Sequence, residues 1–113
     1  MAIRDINGYS RKTLDIGDWN MDATTTVTVS HGLSATEWVT TSILSVMIID
    51  DATASMDALN QIASVTSGVI QGGYGIDSST VNLARLTGGF FDDPGYDSTS
   101  FNRGFIVLEY IAD

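Results

Sequence analysis

Few residues of this 113-residue chain could act as acids, bases or nucleophiles, and they form no familiar catalytic arrangement. His31 is the only histidine, cysteine is absent, and no serine lies in a nucleophile-elbow context. The only glutamates are Glu37 and Glu109, both in segments with strand character. We expect His31 to be packed and hydrogen-bonded, and Glu109 to lie at an edge or pair with Arg85 or Arg103, because buried charge needs a partner. The sequence therefore predicts no catalytic residue and no enzyme.

Three aspartates surround Pro94 in a polar loop: Asp92, Asp93 and Asp97. Calcium takes several oxygen ligands, so a cation site is one interpretation of this loop. The EF-hand pattern is absent, however, and aspartate, glycine and proline are also the residues of tight turns. We expect turns here, and we assign no metal and no cofactor; the calcium alternative stays open.

Several aromatic residues in Gly-rich stretches could stack on the faces of sugar rings. With polar neighbours, the set best suited to a glycan is Tyr74, Tyr96, Asn102 and Arg103. The alternative is that the aromatic rings close the ends of a β-sandwich. Both interpretations require the loops between strands to carry these side chains.

The charge balance restricts the partners of the chain. Five Lys and Arg stand against fourteen Asp and Glu, a net charge of -9, and three of the cations, Arg4, Arg11 and Lys12, lie within the first twelve residues. Such an acidic body repels nucleic acid and anionic lipid surfaces. No stretch approaches the roughly 20 apolar residues of a membrane-spanning helix, and the first residues lack the apolar core of a signal peptide. We therefore predict no nucleic-acid partner, no membrane insertion and synthesis in the cytoplasm of the producing cell.

Alternating polar and β-branched residues between turn signals predict an all-β fold. Strands are expected over 23–30, 37–49, 65–70, 80–86 and 104–112, with a shorter one near 14–16. The run 37–49 is long for one strand, so we expect a bulge or break near 41–42. We expect a turn at 72–75 and leave 52–64 open between a helical turn and a loop. The prediction is an antiparallel β-sandwich of six to seven strands over residues 13–113, preceded by an extended N-terminal arm, residues 1–12.

Both faces of the last strand are apolar. One face carries Phe105, Val107, Glu109 and Ile111, the opposite face carries Ile106, Leu108, Tyr110 and Ala112, and both sets are largely apolar. A chain of this size covers one face with a second sheet, so the other face requires a neighbouring subunit. The sequence therefore predicts a homo-oligomer, with an interface formed by Ile43, Val46, Ile48, Phe105, Val107 and Ile111.

Four phrases carry a family resemblance: residues 16–22 (IGDWNMD), 27–33 (VTVSHGL), 86–92 (LTGGFFD) and 96–104 (YDSTSFNRG). With them, residues 14–112 resemble a family of small β domains in virion proteins of tailed phages that infect Bacteroidetes, crAss-like phages included. These domains occur in head-fibre, capsid-decoration and tail-fibre proteins. The layout is also loosely similar to H-type lectin domains. Each of those domains is a six-stranded sandwich, and three of them assemble into a trimer that binds sugar between subunits.

The resemblance implies a structural protein of the virion, a capsid-decoration or head-fibre subunit that assembles as a homotrimer. The arm with Arg4, Arg11 and Lys12 would dock onto an acidic partner among the other virion proteins. The alternative that it implies is a carbohydrate-binding, lectin-like receptor-recognition module that contacts a cell-surface glycan. Neither family implies a catalytic residue.

Overall fold

The structure is a computed structural model that describes residues 8–61 and 68–113. Its strands are β1 (Ser10–Asp15), β2 (Thr26–Ser30), β3 (Ser42–Ile49), β4 (Met56–Ala58), β5 (Gly72–Ile76), β6 (Thr80–Arg85) and β7 (Gly104–Tyr110). Two 3₁₀ helices, Trp38–Thr40 and Pro94–Tyr96, interrupt them, and the described residues contain no α-helix.

The strands form two antiparallel sheets. A four-stranded sheet has the order β1-β7-β3-β4, and a three-stranded sheet has the order β2-β6-β5. The hydrophobic core contains residues of both sheets, so they pack as a sandwich. The predicted all-β antiparallel sandwich of six to seven strands is confirmed.

The core lies between the inner faces of the sheets. Ile48 of β3, Ile106 of β7 and Leu83 of β6 belong to one core cluster, and each of these side chains is at most 1% exposed. Alternate residues of the same strands are only partly buried, as the two-residue period of a strand requires. Each such buried side chain contributes about 1.5–3 kcal/mol of transfer free energy, so the pairing register is fixed by these positions.

The long predicted strand over 37–49 is broken, as expected, but its first part is not a strand. The hydroxyls of Thr40 and Thr41 both donate to the Glu37 carbonyl and hold a 3₁₀ turn, after which β3 begins at Ser42. The register of β3 against β7 then shifts between Ile43 and Ser45, where one extra residue is inserted.

The glycine-rich run that predicts a turn at 72–75 is instead strand β5. It pairs with β6 over its whole length, from Gly72 opposite Arg85 to Ile76 opposite Val81. The turn follows at Asp77, whose carboxylate accepts from the backbone of Ser79. The glycines favour a turn in this segment, but that local preference is weak. Backbone pairing with β6 overrides it.

The N-terminal boundary also differs from the prediction. β1 begins at Ser10, and Arg11 and Lys12 pair in register with Glu109 and Leu108 of β7. The arm predicted over 1–12 therefore extends into the sandwich, and its first seven residues lie outside the described part of the chain.

The sequence does not decide between a helical turn and a loop for residues 52–64. Within it, Met56–Ala58 forms β4 on the edge of the four-stranded sheet, and residues 62–64 lie outside the described ranges. The strand predicted over 65–70 lies half outside them as well, and residues 68–70 are not part of a strand.

Candidate functional site

The proposed sugar-binding set does not form a site. Arg103 is 0% exposed and Tyr96 is 6% exposed, so neither side chain can contact a ligand from solvent. Tyr74 points into the sandwich, where its hydroxyl lies 3.5 Å from the Asn60 amide nitrogen. Asn102 is exposed, but its side-chain oxygen accepts from the Gly17 N–H at 2.9 Å. The prediction that these four residues bind a glycan together is therefore wrong.

Arg103 instead ties the loops at one end of the sandwich together. Its guanidinium donates to the carbonyls of Trp19 at 3.0 Å, Ile49 at 2.9 Å and Ser98 at 3.2 Å, and it pairs with Asp51 at 2.9 Å. Every polar atom of this buried cation thereby has an acceptor, which is the condition for burying charge.

The aromatic rings close the same end of the molecule. Phe91 is fully buried and packs edge-on against Tyr96 with ring centroids 5.3 Å apart. Burial and nearby carboxylates, Asp57 first among them, raise the pKa of the Tyr96 hydroxyl to about 12. For these two rings, the interpretation as plugs of the sandwich is confirmed.

The acidic loop residues serve the backbone. Asp92 accepts from the Gly88 N–H at 2.7 Å, and Asp93 accepts from the Gly95 N–H at 2.8 Å at the start of a 3₁₀ helix. These bonds confirm the turn interpretation for Asp92 and Asp93. In the described ranges, 8–61 and 68–113, no three His, Asp or Glu side chains are grouped so that they could hold a metal ion.

Asp51 and Asp97 form a pair of neighbouring carboxyl groups. Burial opposes ionisation of Asp51, but hydrogen bonds from Arg103 and from the Ser98 N–H outweigh it and lower its pKa from 3.8 to about 2. The hydrogen bond between the two carboxyl groups raises the pKa of Asp97 above 3.8. The pair therefore holds a proton on Asp97 more readily than on Asp51.

His31 is a structural residue, as predicted. It is 1% exposed, its Nδ1 accepts from the Leu33 N–H at 2.9 Å, and its Nε2 lies 2.8 Å from the Asp77 carbonyl. With both ring nitrogens engaged by backbone groups, the imidazole joins the end of β2 to the β5–β6 turn.

The two glutamates have partners that the sequence did not suggest. Glu109 pairs with Arg11 at 3.0 Å and not with either of the buried arginines. Glu37 precedes a 3₁₀ helix, where it accepts from the N–H groups of Ser34 and Asp113. Both carboxylates thus have a structural partner on the surface.

The outer side of the four-stranded sheet carries apolar side chains that the core does not use. Its side chains lie on the side of β3, β4 and β7 that faces away from the core, and none of them belongs to the core cluster. We name this surface the outer apolar face; its residues are Met47, Ile49, Met56, Phe105 and Val107. Met47 stands opposite Phe105, and Ile49 stands opposite Met56, so the side chains are contiguous across three strands.

The predicted interface is only partly on this face. Phe105 and Val107 belong to it, but Val46 and Ile48 are 1% and 0% exposed and belong to the core, and Ile43 packs against the core as well. Ile111 follows β7 and is half-buried. The residues that sequence reasoning missed are Met47, Ile49 and Met56; because 43–49 is apolar at nearly every position, an assignment of the register would have found the first two.

Of the three cations proposed for docking, two lie in β1 and one lies outside the described residues. Arg11 is exposed and pairs with Glu109, whereas the Lys12 ammonium donates to the His31 carbonyl at 2.6 Å. Arg4 lies outside the described residues. Arg11 and Lys12 thus belong to the sandwich, and Arg4 is the remaining cation of the proposed arm.

Comparisons with protein-family models, with curated proteins and with solved structures find no match to this chain. In the described part of the chain, no helix has the length and apolar character needed to cross a membrane.

Proposed function

We propose that this chain is a structural subunit of a phage virion, a capsid-decoration or head-fibre protein that self-associates through the outer apolar face. The observation that carries the proposal is this face, where five apolar side chains lie on the side of the sheet opposite the core. The resemblance of residues 14–112 to small virion β domains supplies the class of particle. No catalytic step is part of the proposal.

The composition of the outer apolar face favours an identical partner. A contiguous apolar surface on a soluble protein is typical of an interaction site. The chain carries a net charge of -9, so two copies approach most easily where charges are few. On the four-stranded sheet, the charged residues of the outer side are Arg11, Glu109 and Asp15. Arg11 and Glu109 neutralise each other, and Asp15 stands on β1 opposite Phe105, so one carboxylate borders the face.

The width of the four-stranded sheet suits three copies packed around a three-fold axis, each with its outer apolar face toward the axis. Four strands spaced about 4.8 Å apart make a sheet about 19 Å wide, and three such sheets around a three-fold axis stand about 5.5 Å from it. That distance is half of the roughly 10 Å that separates packed sheets, so side chains from the three faces would fill the interior. This geometry supports a trimer whose axis is lined by Met47, Phe105 and Val107.

The test of the face is a charge placed at its centre. Met47→Lys should convert the oligomer to a folded monomer, because a lysine there would have to be desolvated in the interface. Lysine lowers the net negative charge of each copy, so the dissociation would come from the charges buried at the axis and not from a greater overall charge of the chains. The matched control is Ser30→Lys, an exposed position on the outer side of the other sheet, which should keep the native mass. A Met47→Lys protein with the mass of the parent would contradict the proposed interface.

Attachment to the particle is proposed to depend on the N-terminal segment. Removing residues 1–7 takes away Arg4 and leaves β1, which begins at Ser10, intact. The shortened chain should keep its native mass but no longer bind particles that lack this protein, as measured by co-sedimentation. Retained binding would move the docking surface to the sandwich.

A receptor-recognition module for a cell-surface glycan is the second candidate. Tyr74, Tyr96, Asn102 and Arg103 do not form a site for it, because Tyr96 and Arg103 are buried. What favours the candidate is a different surface, an uncharged trough on the three-stranded sheet.

A further inference from the structure

A trough of about 420 Å³ lies on the outer side of the three-stranded sheet. Its lining residues are Thr26, Val27, Thr28, Gly73, Tyr74, Gly75, Asn82, Leu83 and Ala84, and no residue of the four-stranded sheet contributes. Val27, Leu83 and Tyr74 direct their side chains to the core, so they supply backbone to the floor. We name this surface the glycine trough, because Gly73 and Gly75 open it along β5.

Neither the fold nor the backbone requires glycine at these two positions. Gly73 and Gly75 do not have a positive φ, and a Cβ added to either would meet no atom within 4 Å. Gly72, in contrast, is needed, because a Cβ there would stand 2.7 Å from the side chain of Leu59.

The two glycines therefore lower the stability of an edge strand without a structural reason. Glycine inside a strand costs about 0.5–1 kcal/mol relative to alanine and often marks a place where a ligand approaches the backbone closely. The absent side chains at Gly73 and Gly75 produce the open volume of the trough. This pair of replaceable glycines is the observation that points to a ligand.

The lining restricts the chemistry of that ligand. No ionisable side chain points into the trough, although the chain carries a net charge of -9. The floor is made of glycine Cα groups and the Ala84 methyl, and the rim carries the hydroxyls of Thr26 and Thr28. The third polar group, the Asn82 carboxamide, is oriented by its hydrogen bonds to Asp77 at 3.2 Å and Thr80 at 3.3 Å.

We propose that the glycine trough binds a neutral saccharide. A pyranose ring has an apolar face of C–H groups, which suits the floor, and hydroxyls around its edge, which suit the threonine and asparagine rim. The volume lies in the range typical of small-molecule sites. An anionic sugar is disfavoured, since the acidic chain would repel it and no cation lines the trough to compensate.

Sugar binding in the glycine trough rests on the second candidate function, the glycan-binding module, and is independent of the proposed structural role. The outer apolar face and the glycine trough lie on opposite sides of the sandwich, on different sheets. A trimer that binds no sugar would leave the structural role standing, and a monomer that binds sugar would leave this inference standing.

The test is an amide NMR titration of the full chain with methyl glycosides of neutral hexoses and N-acetylhexosamines, and with a uronic acid and a sialic acid. We expect shift changes centred on Gly73, Gly75 and Asn82 for at least one neutral sugar and none for the acids. Absence of changes at these amides across the neutral panel would overturn the inference. So would shifts there that depend on protein concentration without sugar, which would assign the trough to another copy.

The deciding variant is Gly75→Val. Valine favours strands and has room at this position, so the thermal midpoint should stay the same or rise. Binding of the responding sugar should weaken about tenfold or more, because the side chain occupies the volume of the ring. The matched control is Ser30→Val, on the same side of β2 but outside the trough, which should bind like the parent. Equal affinity of Gly75→Val and the parent would overturn the assignment.

Discussion

Arg103 is a buried cation whose acceptors come from three separate stretches of the chain, at Trp19, at Ile49 and Asp51, and at Ser98. Its charge is satisfied only when these loops stand in their native positions. The residue therefore couples the loop before β2, the end of β3 and the loop before β7 into one unit.

The ion pair of Arg103 with Asp51 should contribute far more to stability than the pair of Arg11 with Glu109. Asp51→Asn leaves a fully buried guanidinium without its counter-ion and should cost about 2–4 kcal/mol. Glu109→Gln changes the same kind of pair where the arginine is 68% exposed, and should cost about 1 kcal/mol or less. Urea unfolding at neutral pH measures both; equal losses would contradict the role given to burial.

Acid should weaken the same contact. The pKa of Asp51 is lowered to about 2 from 3.8, so its stabilising contribution is complete above pH 4 and is lost as the pH falls toward 2. The slope of stability against pH in this window should be smaller in Asp51→Asn than in the parent. An unchanged slope would mean that other carboxylates dominate acid unfolding.

Asp97 should show the opposite dependence. Its pKa is raised by the hydrogen bond with Asp51, so its contribution is present at low pH and is lost as the pH rises through the raised value. Asp97→Asn supplies a permanent donor to Asp51 and removes the repulsion. The thermal midpoint of the variant should exceed that of the parent at pH 7, with a difference that narrows toward pH 4. A variant that melts lower than the parent at pH 7 would refute this account of the pair.

The residue types alone did not distinguish a ligand site from a structural one. Arg103 and Tyr96 have the chemistry to bind sugar. In the structure, the Arg103 guanidinium donates to loop carbonyls instead, and the Tyr96 ring closes one end of the sandwich. Which of these occurs depends on contacts between residues distant in sequence. The role of His31, in contrast, could be predicted because it lies at the end of an alternating strand.

At the level of elements, glycine has different roles in β7 and β5, which belong to different sheets. Gly104 opens β7 where the backbone of β3 is so close that an added Cβ would overlap the Met47 carbonyl. On β5, Gly75 faces open space. The first glycine is required by packing of the sheet, and the second is not.

The two positions should therefore respond to alanine with opposite signs. Gly104→Ala should destabilise the fold by about 3 kcal/mol, because β3 and β7 must separate to admit the methyl group. Gly75→Ala should stabilise it by about 0.5 kcal/mol through a less flexible unfolded chain. Chemical denaturation of both variants checks this; destabilisation by Gly75→Ala would show that the fold needs the second glycine too.

Strands with clear alternation could be predicted from the sequence, and those shaped by tertiary contacts could not. The Thr–Val pattern of β2 and the apolar faces of β7 indicated both strands nearly to their ends. β5 was missed because its glycines mimic a turn. Only the end of β1 was predicted, near 14–16, because Arg11 and Lys12 suggested a free cationic arm, whereas pairing with β7 fixes them in the sheet.

At the scale of the whole molecule, the sandwich has two unlike outer sides. The four-stranded sheet carries the outer apolar face, and the three-stranded sheet carries small and neutral side chains around the glycine trough. One side suits burial against identical copies, and the other suits exposure on the surface of the assembly. The proposed subunit interface and the proposed ligand surface therefore lie on opposite sides of the sandwich.

The native mass of the unmodified chain tests the central claim most directly. Sedimentation equilibrium over a range of protein concentrations should give three times the 12.1 kDa chain mass, because association would bury the part of the outer apolar face that a single chain leaves exposed. A mass of one chain at every concentration would contradict self-association through this face, and with it the proposed structural role.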